Sequence, residues 1–440
     1  MQSTLTVADL NHNPSSQRVL IVGGGIVGAA LAFYLSKPNS SRHIVLLDRS
    51  LEESLGSTGH APGFVGQLNE SSALTRLAQD TASEYLSIPG GFNTVGGLEL
   101  ATTASGEQTL QSRCKKARAA GLPAEIITPE AAASLAPDFI NPDTVKTGLH
   151  FPSDGTADAQ AITSYFTHEA RARGVEFLEA AVTGFATVYN DDGTPGEITA
   201  IRTAKGDINL AGSTVILATG IWTSSLTSPA NGNESSITQF PVPIIPVAHP
   251  YTFTPARPAR MGKPYPFVRW PEHHVYARDH GDRDGLGSYD HAPLQLNPGD
   301  TAIGAWPSSF DEVLLNATSH LKNGKEFLVQ GRQGELDSWA AKEPFNGIFS
   351  VTPDNLPLAG RVPDVSNLWL CAAIWVTTAA GTAKLISREI LRGSQNSTSA
   401  EDEELLKAVN PARFQGLEAE LLTAQALGRY NNIYNKETSR

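Results

Sequence analysis

The stretch RVLIVGGGIVGAALAFYLS, residues 18–36, decides the fold. A run of branched apolar residues ends in three glycines, which predicts a buried parallel strand that leads into a tight turn. A helical segment follows, and HIVLLD, residues 43–48, predicts the next buried strand. A strand, a helix and a strand within about 30 residues form a βαβ unit.

Three glycines in the turn, Gly23, Gly25 and Gly28, have the G-x-G-x-x-G spacing of a dinucleotide-binding motif. Gly23 permits the tight turn, Gly25 lets a pyrophosphate approach the backbone, and Gly28 lets the helix and the strand pack closely. The N-terminus of the helix presents free N–H groups and a partial positive charge to the phosphates. The motif therefore predicts a dinucleotide site at this turn.

An acidic residue, Asp48, stands 20 residues beyond Gly28, at the end of the second predicted strand. A carboxylate in this place binds ribose hydroxyls. It also disfavours a 2′-phosphorylated nucleotide, because two negative charges would meet. The glycine motif by itself leaves NAD and FAD open as the ligand.

The composition excludes some classes of partner and setting. The chain has 440 residues, 40% of them hydrophobic, which allows two or three domains. Its net charge of −12 argues against nucleic acid or an anionic membrane as the main partner. Two cysteines do not make a disulfide framework and fit a reducing compartment. With no apolar stretch of membrane-spanning length and no signal-like start, we expect a cytoplasmic protein.

Longer segments are more distinctive than the glycine motif. They are STGHAPGFVGQLNESSALTRLAQ, FPSDGTADAQAIT, VILATGIWT, VAHPYTFT, GSYDHAP and GIFSVTPDNLPLAGRVPDVSNLWLCAAIWVTTAAG. With the glycine-motif stretch, they resemble the D-amino-acid-oxidase-type flavoproteins, and within these the dimethylglycine and sarcosine dehydrogenase branch. The resemblance covers residues 18–393. It implies FAD as the cofactor, a two-domain fold and oxidation of the C–N bond of an amine.

The predicted fold is α/β (α+β overall), a Rossmann-type FAD-binding domain interrupted by a substrate domain with a mostly antiparallel sheet. The antiparallel sheet is expected from about residue 240 to 310, where strand-like runs alternate with Pro- and Gly-rich breaks. We assign 18–95, 150–224 and 340–395 to the FAD-binding domain and 96–149 and 225–339 to the substrate domain. Residues 1–17 are predicted as a loose tail, and 396–440 as a helical tail that packs on the outside.

The resemblance also implies a set of FAD-contacting residues beyond the three glycines and Asp48. They are Ile26, Val27, Ser57, Thr58, His60, Gly63, Val182, Ala218, Gly220, Trp222, Asp354, Gly360, Thr377 and Gly381. In this branch, a histidine in a Thr-x-His-Ala-x-Gly setting is joined covalently to the flavin, and residues 58–63 match that pattern. His60 is therefore expected to carry the flavin, and a hydrogen bond from His60 to the flavin or to backbone is the alternative. For Asp354, a turn-stabilising role is the alternative.

The amine side of the chemistry is expected in the antiparallel sheet. The segment VAHPYTFT places His249 and Tyr251 two residues apart, which puts both on one face of a strand, and GSYDHAP adds Tyr289. These positions match those where dimethylglycine-oxidising relatives have a catalytic His and Tyr. An amine gives up hydride only when its nitrogen lone pair is free, so the site needs a proton acceptor or an environment that disfavours ammonium. A structural role is the alternative for each of the three residues.

The leading hypothesis is an FAD-dependent oxidase or dehydrogenase of a secondary or tertiary, N-methylated small-molecule amine. Oxygen or another acceptor would reoxidise the flavin, and the oligomeric state is open. One alternative is an amino-acid or imino-acid oxidase, with Arg269 or Arg278 holding the carboxylate. Another is a flavin-carrying subunit that only transfers electrons. No metal site is expected. Larger relatives add a folate-binding module after the flavoprotein part, and the sequence stops at Arg440, so no folate coupling is expected.

Overall fold

The glycine-motif stretch folds as its pattern predicts. The computed structural model describes residues 5–12, 17–37, 42–228, 236–330, 339–363, 365–392 and 398–431. In it, Arg18–Val22 is a fully buried strand, Ile26–Leu35 is a helix, and His43–Asp48 is a strand that pairs in parallel with the first. The helix is apolar nearly all round because the sheet covers one side and further helices cover the other.

The described residues form the following helices and strands. The α-helices are α1 (Val7–His12), α2 (Ile26–Leu35), α3 (Ser72–Tyr85), α4 (Ala104–Ala119), α5 (Pro129–Leu135), α6 (Ala159–Ala172), α7 (Thr223–Thr227), α8 (Ser309–Thr318), α9 (Ala379–Arg392), α10 (Ala400–Val409) and α11 (Ala419–Tyr430). The strands are β1 (Arg18–Val22), β2 (His43–Asp48), β3 (Phe64–Val65), β4 (Phe92–Asn93), β5 (Gly97–Ala101), β6 (Glu125–Ile127), β7 (Thr147–Phe151), β8 (Gly155–Ala157), β9 (Glu176–Glu179), β10 (Val182–Tyr189), β11 (Pro195–Thr203), β12 (Ile208–Asn209), β13 (Thr214–Leu217), β14 (Ile245–Phe253), β15 (Phe267–Trp270), β16 (Val275–Asp279), β17 (Asp284–Ser288), β18 (Ile303–Gly304), β19 (Leu328–Gln330), β20 (Trp339–Ala341), β21 (Phe345–Val351), β22 (Leu358–Arg361) and β23 (Leu368–Ala372).

A six-stranded sheet, in the order β22-β23-β13-β1-β2-β9, is parallel except at its β22 edge. Helix α2 packs against this sheet, and α6 and α9 pack on α2 in the same apolar core. The carboxyl ends of parallel strands meet at one edge of a sheet, where α/β folds bind ligands. The glycine turn after β1, the acidic end of β2 and the turn after β13 therefore lie together.

A nine-stranded sheet, in the order β18-β21-β14-β17-β16-β15-β5-β7-β6, is antiparallel except between β15 and β5. The predicted mixed α/β fold with a mostly antiparallel second sheet is thus confirmed. One strand differs from the expected partition, because β21 pairs along β14 from Ile245↔Val351 to Tyr251↔Phe345. The segment after residue 340 therefore contributes to the antiparallel sheet, and the division into domains stays a prediction.

The N-terminal tail contains the short helix α1, and the C-terminal tail contains helices α10 and α11. Residues 1–4 and 13–16 lie outside the described residues, but α1 packs on the core with Leu10 buried, and the Arg18 guanidinium donates to the Leu10 carbonyl at 2.8 Å. At the other end, 393–397 and 432–440 lie outside them. Helix α11 packs through one face, with Leu422, Ala426 and Tyr430 buried and its other residues exposed or half-buried. Within the described residues, no helix combines the length and apolar character needed to cross a membrane.

Candidate active site

A cavity of about 630 Å³ lies between the glycine-turn edge of the parallel sheet and the nine-stranded sheet. Most of the residues predicted from the sequence line it. They are Gly23, Gly25, Ile26, Val27, Asp48, Ser57, Thr58, His60, Gly63, Val182, Ala218, Gly220, Trp222, Thr377, His249, Tyr251 and Tyr289. One end is built by the glycine turn and the other by aromatic rings.

The three glycines of the turn are required for different reasons. A Cβ on Gly23, whose φ is +108°, would lie 2.4 Å from the Ala218 carbonyl oxygen, and a Cβ on Gly28 would lie 1.8 Å from the Gly23 carbonyl oxygen. These two glycines therefore serve backbone packing. A Cβ on Gly25 would meet only the Thr58 hydroxyl, at 3.0 Å. Gly25 lines the cavity, so its missing side chain leaves room there for a ligand.

The N-terminus of α2 is suited to an anion. The Ile26 N–H donates to the Thr58 hydroxyl at 3.1 Å, whereas the N–H groups of Gly25 and Val27 have no acceptor among the described residues. Free donors at a helix N-terminus attract phosphate. The Asp48 carboxylate lies beside the turn and accepts from one of its N–H groups, in the place expected for a ribose-binding acid.

The loop that carries His60 is held by close backbone packing. A Cβ on Gly59 would lie 2.1 Å from a carbonyl oxygen of the same loop, and Gly63 has a φ of +75°. The Arg278 guanidinium donates to the Pro62 carbonyl. His60 is half-buried, and burial lowers its pKa, which favours the neutral imidazole. Among the described residues, no group hydrogen-bonds to its ring nitrogens.

At the aromatic end, His249 is 2% exposed and bonded on both ring nitrogens. Its Nε2 is 2.7 Å from the Tyr276 hydroxyl, and its Nδ1 is 2.6 Å from the Tyr430 hydroxyl. The Tyr289 ring lies 4.5 Å from the imidazole. Burial, with a smaller contribution from His291, lowers the pKa of His249 well below its ordinary value. The imidazole is therefore neutral.

Tyr251 lines the same cavity but does not bond to His249. Its hydroxyl lies 2.8 Å from Nε2 of His280. Burial raises the pKa of Tyr251, and burial together with Arg278 and Arg283 lowers the pKa of His280 to about 3. Both groups are neutral at ordinary pH, so this pair adds no charge to the part of the cavity wall that Tyr251 forms.

Besides Gly28, three residues predicted to contact the cofactor lie away from the cavity. The Asp354 carboxylate pairs with Arg413 at 2.8 and 2.9 Å and accepts the Leu356 N–H at 3.0 Å, which is the turn-stabilising alternative. Gly360 faces a proline ring of the C-terminal segment, and Gly381 packs against a carbonyl of α3. Each is held by backbone packing or an ion pair, which explains its place without a ligand.

Three site residues are absent from the sequence-based prediction. Tyr276 and Arg278 are two residues apart in β16 and therefore share one face of the strand. Because Arg278 was already a candidate, this alternation could have indicated Tyr276. His280 follows the same strand. Tyr430 has no local signal that connects it to the site, since it lies 181 residues from His249.

Residues 18–389, most of the chain, match the family model described as FAD-dependent oxidoreductase. The chain belongs to this family. It is 28% identical to the mitochondrial dimethylglycine dehydrogenase of Rattus norvegicus over 85% of this chain and 43% of that protein. It is 27% identical to the mitochondrial sarcosine dehydrogenase of Mus musculus over 81% of this chain and 37% of that protein. The chain therefore spans about two fifths of the length of these curated relatives, and the expected resemblance to their branch is confirmed.

The fold of this FAD-dependent oxidoreductase is shared with the crystal structure of L-proline dehydrogenase from P. horikoshii. The TM-score is 0.73 and the identity 20%, over 92% of this chain and 99% of the other. The cavity residues fit FAD: Gly25 leaves open space, the α2 N-terminus has unused donors, and Asp48 lies beside them. These residues would hold the pyrophosphate and a ribose.

Proposed function

We propose that this chain oxidises the C–N bond of a small secondary or tertiary amine, with N-methylated amines as the substrate class. The product is an imine or iminium, which water hydrolyses. The observation that carries the proposal is the contact between His249 and Tyr276, in the same cavity as the glycine turn. FAD, when bound, would supply the hydride acceptor.

The aromatic end of the cavity favours an amine with a free lone pair. The carboxylates that line the cavity, Asp48, Glu52 and Glu53, belong to β2 and the loop after it. An ammonium at the aromatic end would therefore be desolvated without an anionic partner, which disfavours the charged form. The Tyr276 hydroxyl, in contact with neutral His249, offers the nitrogen a proton acceptor.

Aromatic side chains give this end of the cavity its shape. Tyr289, Phe349 and Tyr276 surround His249 at ring distances from 4.5 to 5.7 Å. Their faces form an apolar wall that fits methyl groups on nitrogen and excludes bulk water. A small N-methylated amine matches this wall better than a long polar one.

A second candidate, oxidation of an amino or imino acid, is favoured by one arginine. Arg278 Nε is buried and has no hydrogen-bond acceptor among the described residues, and Nη1 is bound to the carbonyl of Pro62 in the cavity wall. A substrate carboxylate is the natural acceptor for such a donor. Arg269, the other candidate, is instead paired with the buried Glu99. Arg278 would also hold the carboxylate of an N-methylated amino acid, so the two candidates share this residue.

Covalent attachment of FAD through His60 is part of the proposal. The support is a half-buried, neutral imidazole that lines the cavity, whose ring nitrogens have no hydrogen-bond partner among the described residues. The test is the intact mass of the denatured protein. A mass equal to that of the bare polypeptide would show that His60 only contacts the flavin.

The activity is tested by anaerobic mixing of the flavin-containing protein with a panel of amines while flavin absorbance is followed. The panel pairs each N-methylated amine with its unmethylated parent and with an analogue that carries a carboxylate. This half-reaction requires no knowledge of the electron acceptor, oxygen or another. We expect the N-methylated members to bleach the flavin fastest. A flavin that dithionite reduces but no amine reduces would exclude the proposed activity.

The cytoplasmic location inferred from the sequence stays a prediction. Cell fractionation with an antibody to the chain tests it.

A further inference from the structure

A buried hydrogen-bond chain leads from the aromatic end of the cavity to the surface. The Tyr276 hydroxyl is 2.7 Å from His249 Nε2, and His249 Nδ1 is 2.6 Å from the Tyr430 hydroxyl. The same hydroxyl is 2.8 Å from His291 Nε2, and His291 Nδ1 is 2.9 Å from the Ala292 carbonyl, at an exposed position. The outer half of this hydrogen-bond chain thus depends on a tyrosine of helix α11.

The outer end fixes the direction of every hydrogen bond. The Ala292 carbonyl can only accept, so Nδ1 of His291 carries the proton and Nε2 of the neutral ring accepts. Tyr430 has one hydroxyl proton and donates it to His291, so its oxygen accepts from Nδ1–H of His249. Nε2 of His249 is then the acceptor, and Tyr276 donates to it. Tyr276 lines the cavity, so its hydroxyl is the substrate end of this series of hydrogen bonds.

We propose that Tyr276, His249, Tyr430 and His291 form a directed proton relay, in which the C-terminal helix lets a bound ammonium pass its proton to the surface. The proposal rests on the amine oxidation proposed above. Tyr276 is the member that touches the substrate. Tyr430 and His291 act through His249 and are positioning residues.

The transfer balances as a series of proton shifts without redox change. The substrate N–H bond breaks and its proton joins the Tyr276 oxygen, whose own proton moves to Nε2 of His249. Nδ1 of His249 releases its proton to Tyr430, and Tyr430 passes its proton to Nε2 of His291. The nitrogen lone pair becomes free, and the positive charge moves to His291. Release of a proton to solvent and reversal of the hydrogen bonds restore the first state.

The groups around the hydrogen-bond chain favour transfer of the proton towards the surface. His249 is enclosed by aromatic rings, and burial lowers its pKa well below the ordinary value, with a further lowering by His291. Burial also lowers the pKa of His291, but the Ala292 carbonyl and the neighbouring Asp290 act in the opposite direction. The rings of Phe310 and Tyr430 also pack against the His291 imidazole. A positive charge is therefore better tolerated at the outer end than at His249.

The first test determines, without any substrate, which group donates in each hydrogen bond of the relay. Nitrogen-15 NMR of the flavin-containing protein, labelled at its 11 histidines and assigned by single substitutions, distinguishes the two neutral tautomers. We expect the Nδ1–H form for both His249 and His291, and loss of that form at His249 in Tyr430→Phe. A His249 that carries its proton on Nε2 at rest would overturn the relay.

The second test measures the rate of flavin reduction by an N-methylated amine against pH. At pH 7, Tyr430→Phe and His291→Leu should each be slower than wild type by about tenfold, a smaller loss than removal of a positioned base causes. The affinity for the amine should be unchanged, and the deficit should shrink at high pH, where the amine arrives neutral. Tyr34→Phe, which also removes a buried tyrosine hydroxyl, bonded to Glu84, is the matched control and should behave as wild type.

Wild-type rates at pH 7 in both relay variants would overturn the proposal, as would an equal loss at every pH. His291 is half-buried, so its variant gives an answer even where Tyr430→Phe does not fold. A wild-type flavin that no amine reduces would refute the proposed function instead, and the NMR spectrum would still decide whether the directed chain exists.

Discussion

Replacing Gly25 by valine should separate folding of the chain from binding of FAD. A Cβ at this position meets only the Thr58 hydroxyl, at 3.0 Å, which is the movable end of a side chain. The variant should therefore fold. The branched side chain would occupy the space beside the α2 N-terminus, where we place the pyrophosphate.

The size of the effect follows from the donors that the side chain would cover. The N–H groups of Gly25 and Val27 have no acceptor among the described residues, so both are available to a phosphate. A hydrogen bond to a charged group contributes about 1.5–3 kcal/mol. Loss of two such bonds raises the dissociation constant for FAD by about 10²–10⁴-fold.

The measurement is the flavin-to-protein ratio after gel filtration, together with thermal unfolding of the apoprotein. Gly28→Ala is the contrasting variant, because its Cβ would lie 1.8 Å from the Gly23 carbonyl oxygen, about 1.6 Å short of ordinary contact at 3.4 Å. It should destabilise the apoprotein by about 1–3 kcal/mol or more. A Gly25→Val protein that retains full flavin occupancy would refute this placement of the cofactor.

Four further predictions concern single residues of the chain. His249→Ala or Tyr276→Phe should lower the rate of flavin reduction by about 10²–10⁴-fold with unchanged FAD content, and a wild-type rate would remove that residue from the catalytic set. His60→Ala should release all of its flavin on acid denaturation, whereas the wild-type polypeptide should keep it; release from both would exclude a covalent bond. Arg278→Gln should raise KM for carboxylate-bearing amines and spare uncharged analogues, so an equal rise for both contradicts a carboxylate role. Asp354→Ala should lower the free energy of unfolding by about 1–3 kcal/mol with unchanged FAD content, and loss of FAD at unchanged stability would return Asp354 to the cofactor site.

The nucleotide-binding half was predictable because its signals are local. The β1-α2-β2 unit is specified within 31 residues by a buried strand, a glycine turn and a second buried strand. Gly28 is needed for a contact within that unit, Gly23 for the close approach of the turn to Ala218 after β13, and Asp48 reaches the turn because parallel strands end at one edge. Each inference uses periodicity or strand direction, which short segments determine.

The late cofactor residues were harder to place because their roles depend on the C-terminal segment. Asp354 stands in a turn that a carboxylate stabilises by itself, through the Leu356 N–H. Arg413, from the segment after α10, then neutralises it. No pattern around residue 354 indicates that an arginine 59 residues later approaches, so the ligand-binding and turn-stabilising hypotheses were equally consistent with the sequence.

Periodicity predicts the buried face of helix α11 but not the hydrogen-bond partners of its last residue, Tyr430. Its buried residues, Leu422, Ala426 and Tyr430, recur every four positions, which is the pattern of a helix with one covered face. A tyrosine at the end of such a stripe also needs a polar partner for its hydroxyl, because burial without a hydrogen bond is costly. Those two facts predict a buried phenol with a hydrogen bond to a polar group. Its actual partners, His249 and His291, are determined by a contact between distant parts of the chain. The site therefore depends on the last described helix, although its chemistry is encoded in the nine-stranded sheet.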